Sequence, residues 1–183
     1  MLRLCSDSST RARLLRDAHI DFIQSGVDFD EESITAYSPK SFAYQATLGK
    51  YCAALDRFDF REIPLLLADT VVTAHGRILR KAKCIDDARN ILMSQSGGEA
   101  SIVTCMLYKS AKKELLDISV TRYRFRTFDP EDLERYLQSG EWRGKAGACM
   151  VEGFCKKYIE SVHGFESTAM GLSIEILQRF ADA

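Results

Sequence analysis

The run Ile63-Pro64-Leu65-Leu66-Leu67-Ala68-Asp69-Thr70-Val71-Val72-Thr73-Ala74 places one carboxylate inside an otherwise apolar, partly β-branched segment. Bounded by a turn signal at His75-Gly76, it reads as a buried strand, of the kind found where helices cover both faces of a sheet. An aspartate there is unusual, because burying a carboxylate without a partner is costly. Asp69 can be a turn cap. It can equally mark the end of a buried strand, where open α/β sheets place their ligands, and there hold a divalent cation or act as general base toward water.

The neighbouring segments supply both strands and helices. Residues 2–5 are expected as a short strand, and residues 11–18 as a helix with Leu14, Leu15 and Ala18 on one face. Residues 21–32 read as a strand entering an acidic loop, and residues 40–56 as a helix carrying Phe42, Ala46, Leu48 and Lys50. Residues 85–95 form a helix ended by Gly97-Gly98, followed by two strands with a basic turn at residues 110–113. A parity change between Val120 and Tyr123 predicts a bulge near Arg122. Asp129 as N-cap, Pro130 in the first turn and Gly140 after the last delimit the next helix. Residues 147–151 are expected as a strand and residues 167–183 as one amphipathic helix. This interleaving indicates an α/β fold with a mixed sheet, in a single domain over residues 1–183.

With 26 acidic against 25 basic residues, the chain has no global positive field to hold nucleic acid non-specifically. No stretch approaches the roughly 20 apolar residues of a membrane span, and no signal-peptide pattern opens the chain. A cytoplasmic protein is expected. The six cysteines are scattered without zinc-site spacing and read as free thiols. The three histidines share no spacing with one another or with cysteine, which suits surface or turn roles.

Ser6, Ser8, Ser9, Thr10 and Arg11 form a hydroxyl-rich turn into the first helix. One serine would suffice as an N-cap. The whole cluster with its arginine also suits an anion, which the unpaired N–H groups and the helix dipole favour. The acidic loop Asp28, Asp30, Glu31, Glu32 is either a solvated face or, with Asp69, a carboxylate pair for magnesium. Lys50, Lys81 and Lys145 are singly ordinary surface lysines.

The segments LCSDSSTRARLL, DFDEE, ADTVV, ILRKAK, SGGEASIVT, YLQSGEWRGKAGACMVEG and HGFESTAMGLS, together with Lys50, follow the order and approximate spacing seen in the Maf family of nucleotide pyrophosphatases. The chain resembles that family over essentially its whole length. ADTVV and KAGA are the specific parts, although Ser9-Thr10 replaces Pro-Arg in the first motif, Arg80-Lys81-Ala82 replaces Gly-Lys-Pro, and Ser173 replaces a proline. The resemblance implies a long mixed sheet flanked by helices, like the inosine triphosphate pyrophosphatases, with two lobes and a cleft. It implies hydrolysis of nucleoside triphosphates to monophosphate and pyrophosphate, with Mg²⁺ or Mn²⁺ as cofactor, and a link to arrest of septum formation. A homodimer belongs to the same expectation.

Residue by residue, the resemblance makes Asp69 the proton acceptor and Glu31 its partner in metal or water handling. Ser6, Ser8, Arg11, Lys50 and Lys81 match triphosphate-gripping positions, and Lys145 matches the lysine of the Lys-Ala-Gly motif. Arg11, Thr70 and Glu152 match specificity positions. Thr70 resembles the thymidine and uridine triphosphate subgroup, whereas Glu152 resembles the subgroup acting on methylated guanine nucleotides, so the base stays open. A non-catalytic nucleotide-binding regulator of septum formation is the alternative. The anion reading of the serine turn is the one the resemblance favours.

Overall fold

The computed structural model describes residues 1–182. Its strands are β1 (Leu2–Leu4), β2 (Phe22–Gln24), β3 (Leu65–Ala74), β4 (Arg77–Leu79), β5 (Glu99–Lys109), β6 (Glu114–Phe125) and β7 (Ile159–His163). Its helices are α1 (Ser9–Asp17), α2 (Pro39–Leu55), α3 (Ile85–Met93), α4 (Pro130–Ser139), α5 (Glu166–Ala169) and α6 (Ile174–Asp182). The strands form one mixed sheet in the order β2-β1-β3-β5-β6-β7, with β4 paired to β3 off that path. Strand β1 runs parallel to β2 and β3, while β4 is antiparallel to β3 and β7 to β6. The fold is α/β, as the interleaved pattern predicts. Among the described residues, no helix is long and apolar enough to cross a membrane.

The chain divides into two compact units, one of Met1–Thr70, Val103–Ser119 and the segment from Phe165 onward, the other of Val71–Ile102 and Val120–Gly164. In the first, alternate residues of β3 enter different cores, because successive side chains of a strand point to opposite faces. Leu66 and Ala68 join Leu4, Leu14, Leu15 and Leu172, whereas Leu65 and Leu67 join Ala54 and Leu107. Each fully buried leucine contributes roughly 1.5–3 kcal/mol of transfer free energy. These two apolar packings immobilise the strand that carries Asp69. Cys5 and Cys105 are buried in the same unit, and burial pushes both thiols up to about 11, which keeps them protonated and inert.

The second unit has an aromatic interior in which Phe128 packs against Phe125, Phe154 and Tyr158, and Tyr136 stacks on Phe154. Helix α4 has the predicted ends: Asp129 accepts from the N–H of Asp132, and Gly140 adopts φ 73° at the C-cap. Gly147 must also be glycine, since its φ is 64° and a Cβ there would stand 2.8 Å from Val72.

Several expectations are corrected. Residues 147–151 are not a strand: Gly144, Gly147 and Ala148 all have positive φ, so the chain turns, and only Ala146 makes a bridge, to Lys81. The strand of this region is β7, further along the chain. Strand β6 runs through Arg122 without interruption, because buried Thr121 continues the inward alternation with Tyr123 and Phe125; the register shift falls at Arg124/Phe125. The expected final helix is two helices separated at Gly171, where φ is 107°. Its last expected residue, Ala183, lies outside the described residues. Cys149 and Cys155 are joined as a disulfide, because the turn between them brings their Cα atoms to 6.2 Å. Cys5, Cys52, Cys84 and Cys105 are free.

Candidate functional site

Asp69 lies in the middle of a ten-residue strand rather than at its end. Strand alternation then determines its surroundings. Asp69 shares the face of Leu65 and Leu67, which packs against α2, and it meets Lys50 of that helix. Thr70 shares the face of Leu66 and Ala68, which packs against α1, and it meets Arg11 of that helix. Adjacent residues of one strand thus address two different helices.

On the α1 side, Ser8 is the N-cap, and its Oγ accepts from the N–H of Arg11 at 3.3 Å. A cap of this kind contributes about 1 kcal/mol. Ser6 acts differently, its Oγ accepting from the N–H of Ser8 at 3.3 Å and from Arg11 Nη1 at 3.1 Å. With both lone pairs engaged, the Ser6 hydroxyl proton is available for donation. Arg11 also donates from Nε to the carbonyl of Gly171 at 2.9 Å and from Nη2 to Thr70 Oγ1 at 3.2 Å. All three anchors are neutral acceptors. A guanidinium carries five N–H donors, so two remain, and its charge is not cancelled by a directly bonded carboxylate. Burial pulls the Arg11 pKa below its ordinary value, against the opposing charges of Asp69 and Glu31. The turn therefore offers hydrogen-bond donors and positive charge, the complement of an anion.

On the α2 side, Lys50 Nζ donates to Asp69 Oδ1 at 2.6 Å and to Glu31 Oε1 at 2.7 Å. Glu31 stands in a 3₁₀ turn (Glu31–Ser33) capped by Asp30, whose carboxylate accepts from the N–H of Glu32. Gly49 is what allows this turn to approach α2. A Cβ at Gly49 would stand 2.2 Å from the Phe29 ring, so any other residue would push Phe29 away. The acidic loop divides between its two readings: Asp28, Asp30 and Glu32 are exposed, while Glu31 is half-buried and joins the lysine. Asp69 is only 4 % exposed, and its second oxygen, Oδ2, is buried with no hydrogen-bond partner. Among the described residues it is the one carboxylate oxygen that is buried without a partner, and it suits a water molecule or a cation. Among the described residues, no group of three or more histidine, cysteine, aspartate or glutamate side chains gathers to hold a metal. Asp69 and Glu31 are two carboxylates about one ammonium.

Lys81, Lys145 and Glu152 belong to the second unit. Lys81 pairs by backbone with Ala146, beside Lys145, and the N–H of Gly147 donates to the carbonyl of Arg80. Gln95 Nε2 donates to the Gly147 carbonyl at 2.8 Å, and Tyr136 donates to the carbonyl of Ala148 at 3.0 Å. The two lysines thus stand on neighbouring, well-tied backbone. Lys81 is exposed, and Lys145 and Glu152 are half-buried.

Of the sequence-predicted residues, Ser6 and Thr70 accept from the Arg11 guanidinium and Ser8 from the Arg11 backbone N–H, while Glu31 and Asp69 gather around the Lys50 ammonium. Sequence reasoning missed the Gly171 carbonyl and the hydroxyl of Thr104, which approaches Thr70 at 2.9 Å. The only sequence signal for Gly171 is its being a glycine: a Cβ there would meet Arg11 Nε at 3.0 Å. Thr104 has none, because a threonine in an apolar strand is commonplace.

A family model described as "Maf-like protein" matches residues 1–182. A protein of a Nitratiruptor species named nucleoside triphosphate pyrophosphatase is 55 % identical over 183 residues, covering 99 % of this chain and 98 % of the relative. The protein of the same name from Helicobacter pylori (strain ATCC 700392 / 26695) is 40 % identical over 174 residues, covering 95 % of this chain and 91 % of its own. One from Campylobacter jejuni subsp. doylei is 37 % identical over 183 residues, covering 98 % of this chain and all of its own.

Proposed function

We propose that this chain, which belongs to the Maf family, is a nucleoside triphosphate pyrophosphatase that releases nucleoside monophosphate and pyrophosphate. The observation that carries the reading is the adjacency along β3. Thr70 is bonded to the arginine of a donor-rich turn, and Asp69, one residue earlier, turns an unpartnered carboxylate oxygen from the same strand. The charges of Asp69 and Glu31 also act on the Arg11 guanidinium, so the anion-binding turn and the carboxylates that would handle the attacking water share one electrostatic neighbourhood.

In this reading water attacks the α-phosphorus, forming a new P–O bond as the bond to the pyrophosphate oxygen breaks. Asp69 orients the water and accepts its proton, which then leaves to solvent or to the pyrophosphate. Arg11, with two unengaged N–H groups, and the Ser6 hydroxyl bind phosphate oxygens and stabilise the charge that develops on them. Most of the rate would come from such positioning and electrostatics rather than from covalent chemistry.

The residues fit a divalent cation: Mg²⁺ or Mn²⁺ takes one or two carboxylates and completes its shell with phosphate oxygens and water. Asp69, through its unpartnered Oδ2, and Glu31 would hold it. When bound, it supplies charge neutralisation and Lewis acidity at the phosphate. Lys50 balances the two carboxylates and presents a cation beside them. For Lys81, Lys145 and Glu152 as substrate contacts, the support is the motif resemblance.

The test is incubation of the purified protein with Mg²⁺ or Mn²⁺ and a panel of ordinary and methylated nucleoside triphosphates. Pyrophosphate and monophosphate are measured in parallel with an Asp69→Asn control. Release that disappears in the control supports the reading and identifies the base. Retained nucleotide binding with no release from any substrate would replace it by a non-catalytic nucleotide-binding protein.

A further inference from the structure

Thr104, in β5, is fully buried, yet its hydroxyl belongs to a hydrogen-bond chain that ends on Arg11. Its Oγ1 donates to the backbone carbonyl of Thr168 at 2.7 Å, and a carbonyl can only accept. A hydroxyl has a single proton. The 2.9 Å contact between Thr104 Oγ1 and Thr70 Oγ1 must therefore be donated by Thr70. With its proton directed at Thr104, Thr70 faces Arg11 with lone pairs alone, as the 3.2 Å bond from Nη2 requires. Were the Thr70 hydroxyl free to rotate, its proton could turn toward the guanidinium and the anchor would be lost.

We infer that Thr104 is a positioning residue for Arg11: by directing the Thr70 proton away from the guanidinium, it makes Thr70 an obligate acceptor and holds Nη2 in place. The segment from α5 through Gly171 then grips the arginine twice, directly through the Gly171 carbonyl on Nε and indirectly through Thr168, Thr104 and Thr70. A buried hydrogen bond between Thr168 Oγ1 and Ser173 Oγ, 3.0 Å long, ties that segment to itself. The guanidinium's two unengaged N–H groups are thereby aimed before any anion arrives. Thr104 itself is fully buried and acts through Thr70. The inference rests on the anion-binding role proposed for Arg11 and adds to it the residue that sets the polarity of the clamp.

The experiment compares wild type, Thr104→Val, Thr104→Ser, Thr70→Val and the Thr70→Val/Thr104→Val pair by two measurements. The first is the Arg11 Nε–H resonance, identified by its loss in Arg11→Lys, and its exchange rate with solvent. The second is calorimetric binding of inorganic tripolyphosphate. Thr104→Val should speed exchange and weaken tripolyphosphate about tenfold, the loss typical of one hydrogen bond to a charged group. Thr104→Ser, which keeps the proton, should behave as wild type. In the Thr70→Val background, Thr104→Val should add nothing. The inference is overturned if Thr104→Val leaves both measurements at wild-type values, or if its loss is equally large without the Thr70 hydroxyl, which would make Thr104 a packing residue only. If circular dichroism shows Thr104→Val unfolded, Thr104→Ala replaces it in the same comparison. Failure of wild type to bind tripolyphosphate any better than Arg11→Lys would remove the anion role instead, while the exchange rates would still decide whether Thr104 orders Arg11.

Discussion

Two aspartates, one in each compact unit, show how differently a carboxylate can be used. Asp132 of α4 is bound by Lys157, Tyr158 and Arg135, and these donors hold its carboxyl well below the usual carboxylate range, Lys157 first. Asp69 of β3 is more deeply buried but less well served, with Lys50 on one oxygen and no partner on the other. The half-exposed acid is saturated and the buried acid is not. Burial raises the cost of an unmet hydrogen bond, which makes Asp69 Oδ2 the oxygen to which the proposed chemistry is assigned. Saturation suits a structural role, and the unfinished shell suits the chemical role proposed for Asp69.

Exchanging each acid for its amide separates these roles. The largest effect is expected for Asp69→Asn: pyrophosphate release should fall by about three orders of magnitude, the worth of a general base, with only a small loss in melting temperature, because an amide oxygen can still accept from Lys50 and Lys50 keeps Glu31. A variant that keeps a tenth of the activity would end the contrast. Lys50→Met comes next, because it leaves Asp69 and Glu31 facing each other without their cation. Breaking a buried pair costs about 3 kcal/mol, so a drop of several degrees in melting temperature is expected, partly recovered on adding Mg²⁺. A melting temperature indifferent to both the substitution and the metal would remove Lys50 as the balancing charge.

The smallest effect is expected for Asp132→Asn, with turnover unchanged. The sign of its pH dependence follows from its depressed pKa in the folded protein. Its contribution is present above the unfolded value, near pH 4, and is lost as the pH falls below that. Wild type should therefore melt slightly above the variant at pH 7, and the two should converge in acid. High salt should narrow the gap, because these groups are exposed to solvent. A gap that widened in acid would contradict the assignment of the hydrogen bonds.

Much of this architecture is legible locally. The caps of α4 at Asp129 and Gly140, the turn at His75-Gly76 and the serine turn before α1 all follow from residues a few positions apart. Local signals mislead where a distant one competes with them. Residues 147–151 look strand-like by composition, yet they turn because Gln95, Tyr136 and Arg80, remote in sequence, tie their backbone. The parity change in β6 suggests a bulge only while Thr121 is taken as polar and outward, and it is buried. Of the site, Asp69, Arg11 and the serines are visible as residue types in unusual company. The resemblance matches Lys50 to a phosphate-gripping position, whereas the structure pairs it with two carboxylates.

Composition, period and capping chemistry by themselves determined an α/β chain with a carboxylate in a buried strand and an anion-suited turn before its first helix, because each depends on neighbours along the backbone. Tertiary structure alone decided that Lys50 would stand between Glu31 and Asp69, each 19 residues away, and that Thr104 and Gly171 would orient Arg11. Hydrogen bonds act over about 3 Å in space and carry no memory of sequence separation. Which donor meets which acceptor was therefore settled only when β3 sent Asp69 to one helix and Thr70 to the other.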